Sequence, residues 1–90
     1  SLSNANLTNA YLNDASLVNA KLISADLTNA YLMGADLRNA DLRNADLKKA
    51  NLENANLRDA NLKGANLKGA NLEGVKINSQ TKIDNLAKFK

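Results

Sequence analysis

The chain has 90 residues, 44% of them hydrophobic and 23% charged, with 12 Lys and Arg against 9 Asp and Glu and a net charge of +3. That size suits one small domain, and the balance is that of a chain that folds in water. It contains no Cys and no His, which excludes a disulfide framework, a thiolate metal site and the commonest proton shuttle, so no cofactor and no metal are expected. No apolar run approaches the ~20 residues that span a bilayer and no charged-then-apolar leader opens the chain, so the expectation is a cytoplasmic protein with no membrane partner.

From Leu2 to Leu72 leucine occupies every fifth position, fifteen times, and Ile77 takes the next place. Two residues before each of these centres stands alanine, fourteen times from Ala5 to Ala70, followed by Val75. A period of five fits neither ordinary element. On an α-helix five steps of about 100° leave successive leucines ~140° apart, so no stripe forms. In a strand an odd spacing throws alternate leucines onto opposite faces. A short extended segment followed by a corner of fixed angle returns every leucine to a common axis. That is a solenoid.

The residue two after each centre supports a corner there. It is Asn seven times, Gly four times and Asp twice, the residues that best tolerate positive φ, as the third position of a type II turn requires. The alanine that follows sits inside the corner, where converging walls leave room for a methyl group. Outward residues repeat best at an offset of twenty: Arg38 with Arg58, Arg43 with Lys63, Lys48 with Lys68, Glu53 with Glu73, and Tyr11 with Tyr31. Four walls of five residues per coil are the reading.

The units Ala35-Asp36-Leu37-Arg38-Asn39 and Ala60-Asn61-Leu62-Lys63-Gly64 resemble the pentapeptide-repeat proteins, whose pattern is A(D/N)LxX, and residues 5–79 follow it almost without a break. Tyr11, Ser16, Lys21 and Tyr31 depart from it by replacing the Asp or Asn before the centre. The resemblance implies an all-β, right-handed quadrilateral parallel β-helix with four repeats per coil. Residues 1–79 then form the solenoid, about four coils and roughly 20 Å long at ~4.8 Å per stacked strand.

Residues 80–90 read as a short helical cap. Thr81 and Asp84 have capping-box spacing, and Ile83, Leu86 and Ala87 fall on one helical face, with Phe89 beyond them. No comparable cap precedes Leu2, so self-association through an uncapped end is a possible contact.

Function must then reside on the outer walls. Tyr11 and Tyr31 should stack on one wall with Met33 beside the second, and Val18 and Ile23 face outward on the two walls that follow, a candidate protein contact. Arg38, Arg43, Lys48, Arg58, Lys63 and Lys68 form a candidate basic surface for nucleic acid or an acidic face. That reading is disfavoured, because Asp36, Asp41 and Asp46 lie two residues before Arg38, Arg43 and Lys48 and offset them, and no aromatic platform is interleaved with the bases. The leading expectation is a non-enzymatic structural or protein-interaction module with an unidentified protein partner. The resemblance implies one alternative, a DNA mimic that binds DNA gyrase or another DNA-binding protein, against which a pI near 9.3 argues. An enzyme is the least supported class, since the carboxylates repeat with the scaffold and do not converge.

Overall fold

The computed structural model describes residues 1–84, and among these there is no helix. Twelve parallel β-bridges tie the chain to itself, eleven of them at an offset of twenty, from Asn6 with Asp26 to Asn56 with Lys76. The residue before each centre makes the bridge, and the two after it form the turn. The centres therefore fall into four stacks. Leu2, Leu22, Leu42 and Leu62 define the first wall and Leu7, Leu27, Leu47 and Leu67 the second. Leu12, Leu32, Leu52 and Leu72 define the third, and Leu17, Leu37, Leu57 and Ile77 the fourth. The Cα extents of 28 × 22 × 20 Å describe a stubby body.

Every corner from Asn4 to Gly74 has positive φ, between 59° and 74°. Ser24 and Lys49 share this conformation, at 60° each, although neither side chain favours it. Coil closure imposes the turn there whatever residue occupies it.

The backbone hydrogen bonds explain the five-residue unit group by group. In a typical inner repeat the Leu42 N–H donates to Asn61 O, the Asn44 N–H to Lys63 O and the Asp41 N–H to Ala20 O, so both neighbouring coils are engaged. The Ala45 N–H closes the turn onto Leu42 O. One N–H per repeat remains, that of the residue just after the centre, and it faces outward. The Asp or Asn two positions earlier accepts it through Oδ1, as in Asp46 to the Lys48 N–H at 3.1 Å and Asn66 to the Lys68 N–H at 3.0 Å. This Asx turn is the physical reason for Asp or Asn at that position, because it satisfies the one donor that the ladder cannot reach.

The interior is leucine and alanine alone for most of its length. The centres from Leu22 to Leu62 are at most 1% exposed, as are the alanines from Ala25 to Ala60. Each buried leucine contributes about 1.5–3 kcal/mol of transfer free energy. At the N-terminal end Leu2 is 40% exposed, and burial builds up over the first twenty residues.

At the C-terminal end the ladder continues past residue 79 within the described residues. No helical turn begins at Thr81; Lys82 instead pairs with Asn61 at an offset of twenty-one, one residue out of step with every other bridge. Ladder pairing therefore runs past the expected boundary at residue 79. The extra residue lets Thr81 take the inside position that alanine holds elsewhere. It is 8% exposed, and its hydroxyl donates to Leu57 O at 2.8 Å. Side chains replace backbone acceptors on this edge, with Asn78 Oδ1 taking the Asp59 N–H and Asp84 Oδ2 the Gly64 N–H. A Thr-x-x-Asp pattern can serve a turn as readily as a helix start, and an open ladder edge gave it the turn. Ile83 packs half-buried on the core; Leu86, Ala87 and Phe89 lie outside the described residues.

Candidate functional site

The walls differ in what they carry outward. The third wall holds the tyrosines: the rings of Tyr11 and Tyr31 are stacked with centroids 4.8 Å apart and planes 7° from parallel, in register with their own β-bridge. Offset or parallel stacking at this spacing adds a modest favourable contact beyond burial. Tyr11 is 82% exposed and Tyr31 38%. Met33, half-buried, lies two residues beyond Tyr31 on the same wall. Val18 belongs to the fourth wall, one corner away, and Ile23 to the first, two corners away. The structure thus brings Tyr11, Tyr31 and Met33 onto one face, leaves Val18 on the adjoining wall and places Ile23 on the opposite side of the coil.

These five residues share a feature that the sequence pattern only half disclosed. Tyr11, Ser16, Lys21 and Tyr31 stand where other repeats have Asp or Asn, so these four repeats lack the Asx acceptor; Lys76 also lacks it, but there the Thr81 hydroxyl takes the Asn78 N–H. Among the described residues, the outward N–H groups of Asn13, Val18, Ile23 and Met33 have no protein acceptor. Three of these four residues are the apolar ones. Exposed or half-buried apolar side chains and uncommitted backbone donors therefore coincide in the N-terminal half of the solenoid.

The basic residues occupy the ladders expected of a twenty-residue register. Arg38 and Arg58 share the fourth wall, Arg43 and Lys63 the first, and Lys48 and Lys68 the second. Two are neutralised where they stand. Arg38 forks onto Asp36, with Nε at 2.9 Å from Oδ1 and Nη2 at 2.7 Å from Oδ2, and Arg43 does the same to Asp41 at 2.8 and 2.7 Å. The Arg38 side-chain hydrogen bonds hold the Asp36 carboxyl below the ordinary carboxylate range, and those of Arg43 do so for Asp41; each guanidinium is raised in turn. Asp26 is also lowered, chiefly by its hydrogen bond from the Thr28 side chain.

The expected third pair is different, since Asp46 accepts the Lys48 backbone N–H and makes no ion pair with its ammonium. From residue 51 to residue 71 the acceptor is always Asn. Asn56, Asn61 and Asn66 make the same Asx turns beneath Arg58, Lys63 and Lys68 but leave those charges without a local carboxylate.

A shallow open groove lies at the corner between the fourth and first walls, where the one-residue slip displaces the chain. Asn39, Asp59, Asn61, Gln80 and Lys82 line it. Its acids are already engaged, Asp41 with Arg43 and Asp59 with the Asn78 amide at 3.0 Å. Among the described residues no group of His, Cys, Asp and Glu is placed to hold a metal ion, and no helix is long and apolar enough to cross a membrane.

Solved structures share this architecture. HetL from the cyanobacterium Nostoc, described as involved in regulating heterocyst differentiation, is 44% identical over 82% of this chain and 35% of its own, with a TM-score of 0.79. Rfr23 from the cyanobacterium Cyanothece is 46% identical over 91% of this chain and 59% of its own, with a TM-score of 0.62. QnrB1, a plasmid-mediated fluoroquinolone resistance protein, aligns with a TM-score of 0.63 at 24% identity, a likeness of fold alone. The chain spans less than two thirds of the length of each. No curated protein matches it. The Pentapeptide repeats family matches in eight copies over residues 1–39 and 35–74. With its five-residue hydrogen-bonding unit, its leucine and alanine interior and that match along most of its length, the chain belongs to the pentapeptide repeat family.

Proposed function

We propose that the protein is a non-enzymatic contact module that presents the outside of a β-solenoid to a protein partner, with the third wall as the principal contact. In this reading residues 1–79, about four coils, are the presenting body and residues 80–90 close its end. The observation that carries it is the coincidence on the N-terminal half of a stacked, exposed tyrosine pair with backbone donors that lack the family's usual acceptor. Tyrosine supplies large contact area at low entropic cost, which is why it is enriched in protein interfaces. Outward N–H groups add directional polar contacts once water is displaced.

A gyrase-directed DNA mimic would need an acidic surface along the rod, whereas three of the four walls carry Arg or Lys. Nucleic-acid binding is weakened by the Asp36 and Asp41 forks, which neutralise two of the six basic residues on the ladders.

The test is a comparison of baits. The wild-type chain, a Tyr11→Ser/Tyr31→Ser variant and a Lys63→Gln variant are each immobilised and exposed to lysate of the native host. A partner of the third wall is retained by wild type and by Lys63→Gln and lost from the tyrosine variant. Equal retention of every bound protein by all three baits overturns the reading.

A further inference from the structure

The third wall also specifies what kind of partner it fits. It is the one wall whose outward face, corners aside, carries no Lys or Arg; its charges are Glu53 and Glu73, stacked in the column that continues from Asn13 and Met33. The backbone N–H of each glutamate is taken by its own Asx turn, from Asn51 at 3.1 Å and Asn71 at 3.0 Å. Their carboxylates are left facing outward, and among the described residues neither makes an ion pair. At the flanking corners Lys49 and Asp14 oppose each other in sign, and Lys76 stands on the next wall, so the face keeps its own negative charge in a protein of net +3.

Resting on the contact-module reading above, we propose that the third wall receives a basic polypeptide segment, one bearing Arg or Lys. From Tyr11 to Glu73 is three coil steps, about 14 Å, the reach of four or five extended residues. Along that line the wall changes character. Its N-terminal half offers the Tyr11 and Tyr31 rings, suited to a guanidinium plane or an aliphatic stem, and the free N–H groups of Asn13 and Met33, suited to the segment's carbonyls. Its C-terminal half offers two carboxylates for cationic heads. The first and fourth walls carry a net positive charge and the second balances Lys48 and Lys68 with Asp26 and Asp46, so charge directs the segment to the third wall.

The probe is a synthetic peptide of alternating Arg and Gly, with a Glu-Gly peptide as its counterpart, titrated at low salt into the isotopically labelled chain. Tyr11 and Tyr31, the two tyrosines of a chain without Trp, give a parallel fluorescence signal. The expected result is movement of the amides of Asn13, Met33, Glu53 and Glu73 with the basic peptide. Affinity should fall at least tenfold in Glu53→Gln/Glu73→Gln, which keeps the Asx turns, and stay unchanged in Lys63→Gln. Absence of such movement, equal affinity in the glutamine variant, or response to the Glu-Gly peptide alone overturns the proposal. Tyrosine-dependent capture of a neutral or acidic protein, or self-association lost with the tyrosines, would also overturn the partner's chemistry while leaving the contact wall standing.

Discussion

Asn78 accepts the Asp59 backbone N–H through its side-chain Oδ1 at 3.1 Å, whereas every corner N–H from Asn4 to Asn54 donates to a backbone carbonyl nineteen residues on. The Asn78 Nδ2 returns a bond to Asp59 Oδ1 at 3.0 Å, so the two residues are locked reciprocally. Five residues further along Asp84 Oδ2 accepts the Gly64 N–H at 3.0 Å. The parallel ladder therefore ends on side chains, as a helix ends on its cap.

Removing these acceptors should loosen the last coil. Asn78→Ala and Asp84→Ala are each expected to lower stability by about 0.5–1.5 kcal/mol, read from the urea midpoint at unchanged slope. Thr81→Val keeps the shape and removes the buried hydroxyl bond to Leu57 O, with an expected cost of about 1 kcal/mol. Midpoints equal to wild type in all three would show that the edge needs no such closure.

The core should be graded by position. Leu47 is fully buried and enclosed by coils on both sides, so Leu47→Ala is expected to cost about 2–5 kcal/mol. Leu2, 40% exposed at the first coil, should cost well under half as much on the same substitution. Thermal or urea unfolding of the two variants decides it, and equal losses would contradict a core that is dry only in its middle.

The corners test backbone conformation. Gly34 has φ +68°, and a β-carbon there would meet the Asp14 side chain folded over it from the preceding coil. Gly34→Ala should cost about 1–2 kcal/mol from conformation alone, with a further cost from the collision. In an Asp14→Gly background that further cost should vanish, a coupling that a double-mutant cycle reads directly. Lys49→Gly should raise stability by up to about 1 kcal/mol, because it relieves a lysine held at φ 60°.

Acid should weaken the fold through its paired aspartates. Asp36, Asp41 and Asp26 are held below the ordinary carboxylate range in the folded chain. They bind protons less readily when folded than when unfolded, so their contribution is complete above the unfolded pKa of about 3.9 and is lost as pH falls through the lower folded values. Stability should be flat above about pH 5 and should decline below about pH 4. Asp36→Asn and Asp41→Asn, which keep the Asx acceptor, should flatten that decline, and 1 M salt should reduce it. Identical pH profiles for wild type and the double variant would overturn this.

Much of this was legible in the letters because the repeat is so regular. Fifteen leucines at a spacing of five leave one interior, and Arg38 with Arg58 or Tyr11 with Tyr31 betrays the stacking at twenty. The end of the solenoid was not legible. Thr81 and Asp84 satisfy a local helix-start pattern, yet their fate is decided by Leu57 and Gly64, twenty or more residues away, whose carbonyl and N–H were waiting at an open edge. Lys49 illustrates the same limit, since its propensity speaks against a corner that its neighbours in the stack enforce. On the surface, the departures at Tyr11, Ser16, Lys21 and Tyr31 were visible as broken repeats, but that they strip an acceptor from outward N–H groups required the hydrogen bonds.

The Asx turn carries a lesson about how such a surface can change. Aspartate and asparagine perform the same bond at the same distance, as Asp46 and Asn66 do in one stack at 3.1 and 3.0 Å. A lineage can therefore exchange one for the other and redraw its electrostatic map in single steps, none of which passes through an unfolded intermediate. Recognition is free to evolve on a scaffold whose Asx turns form with either residue.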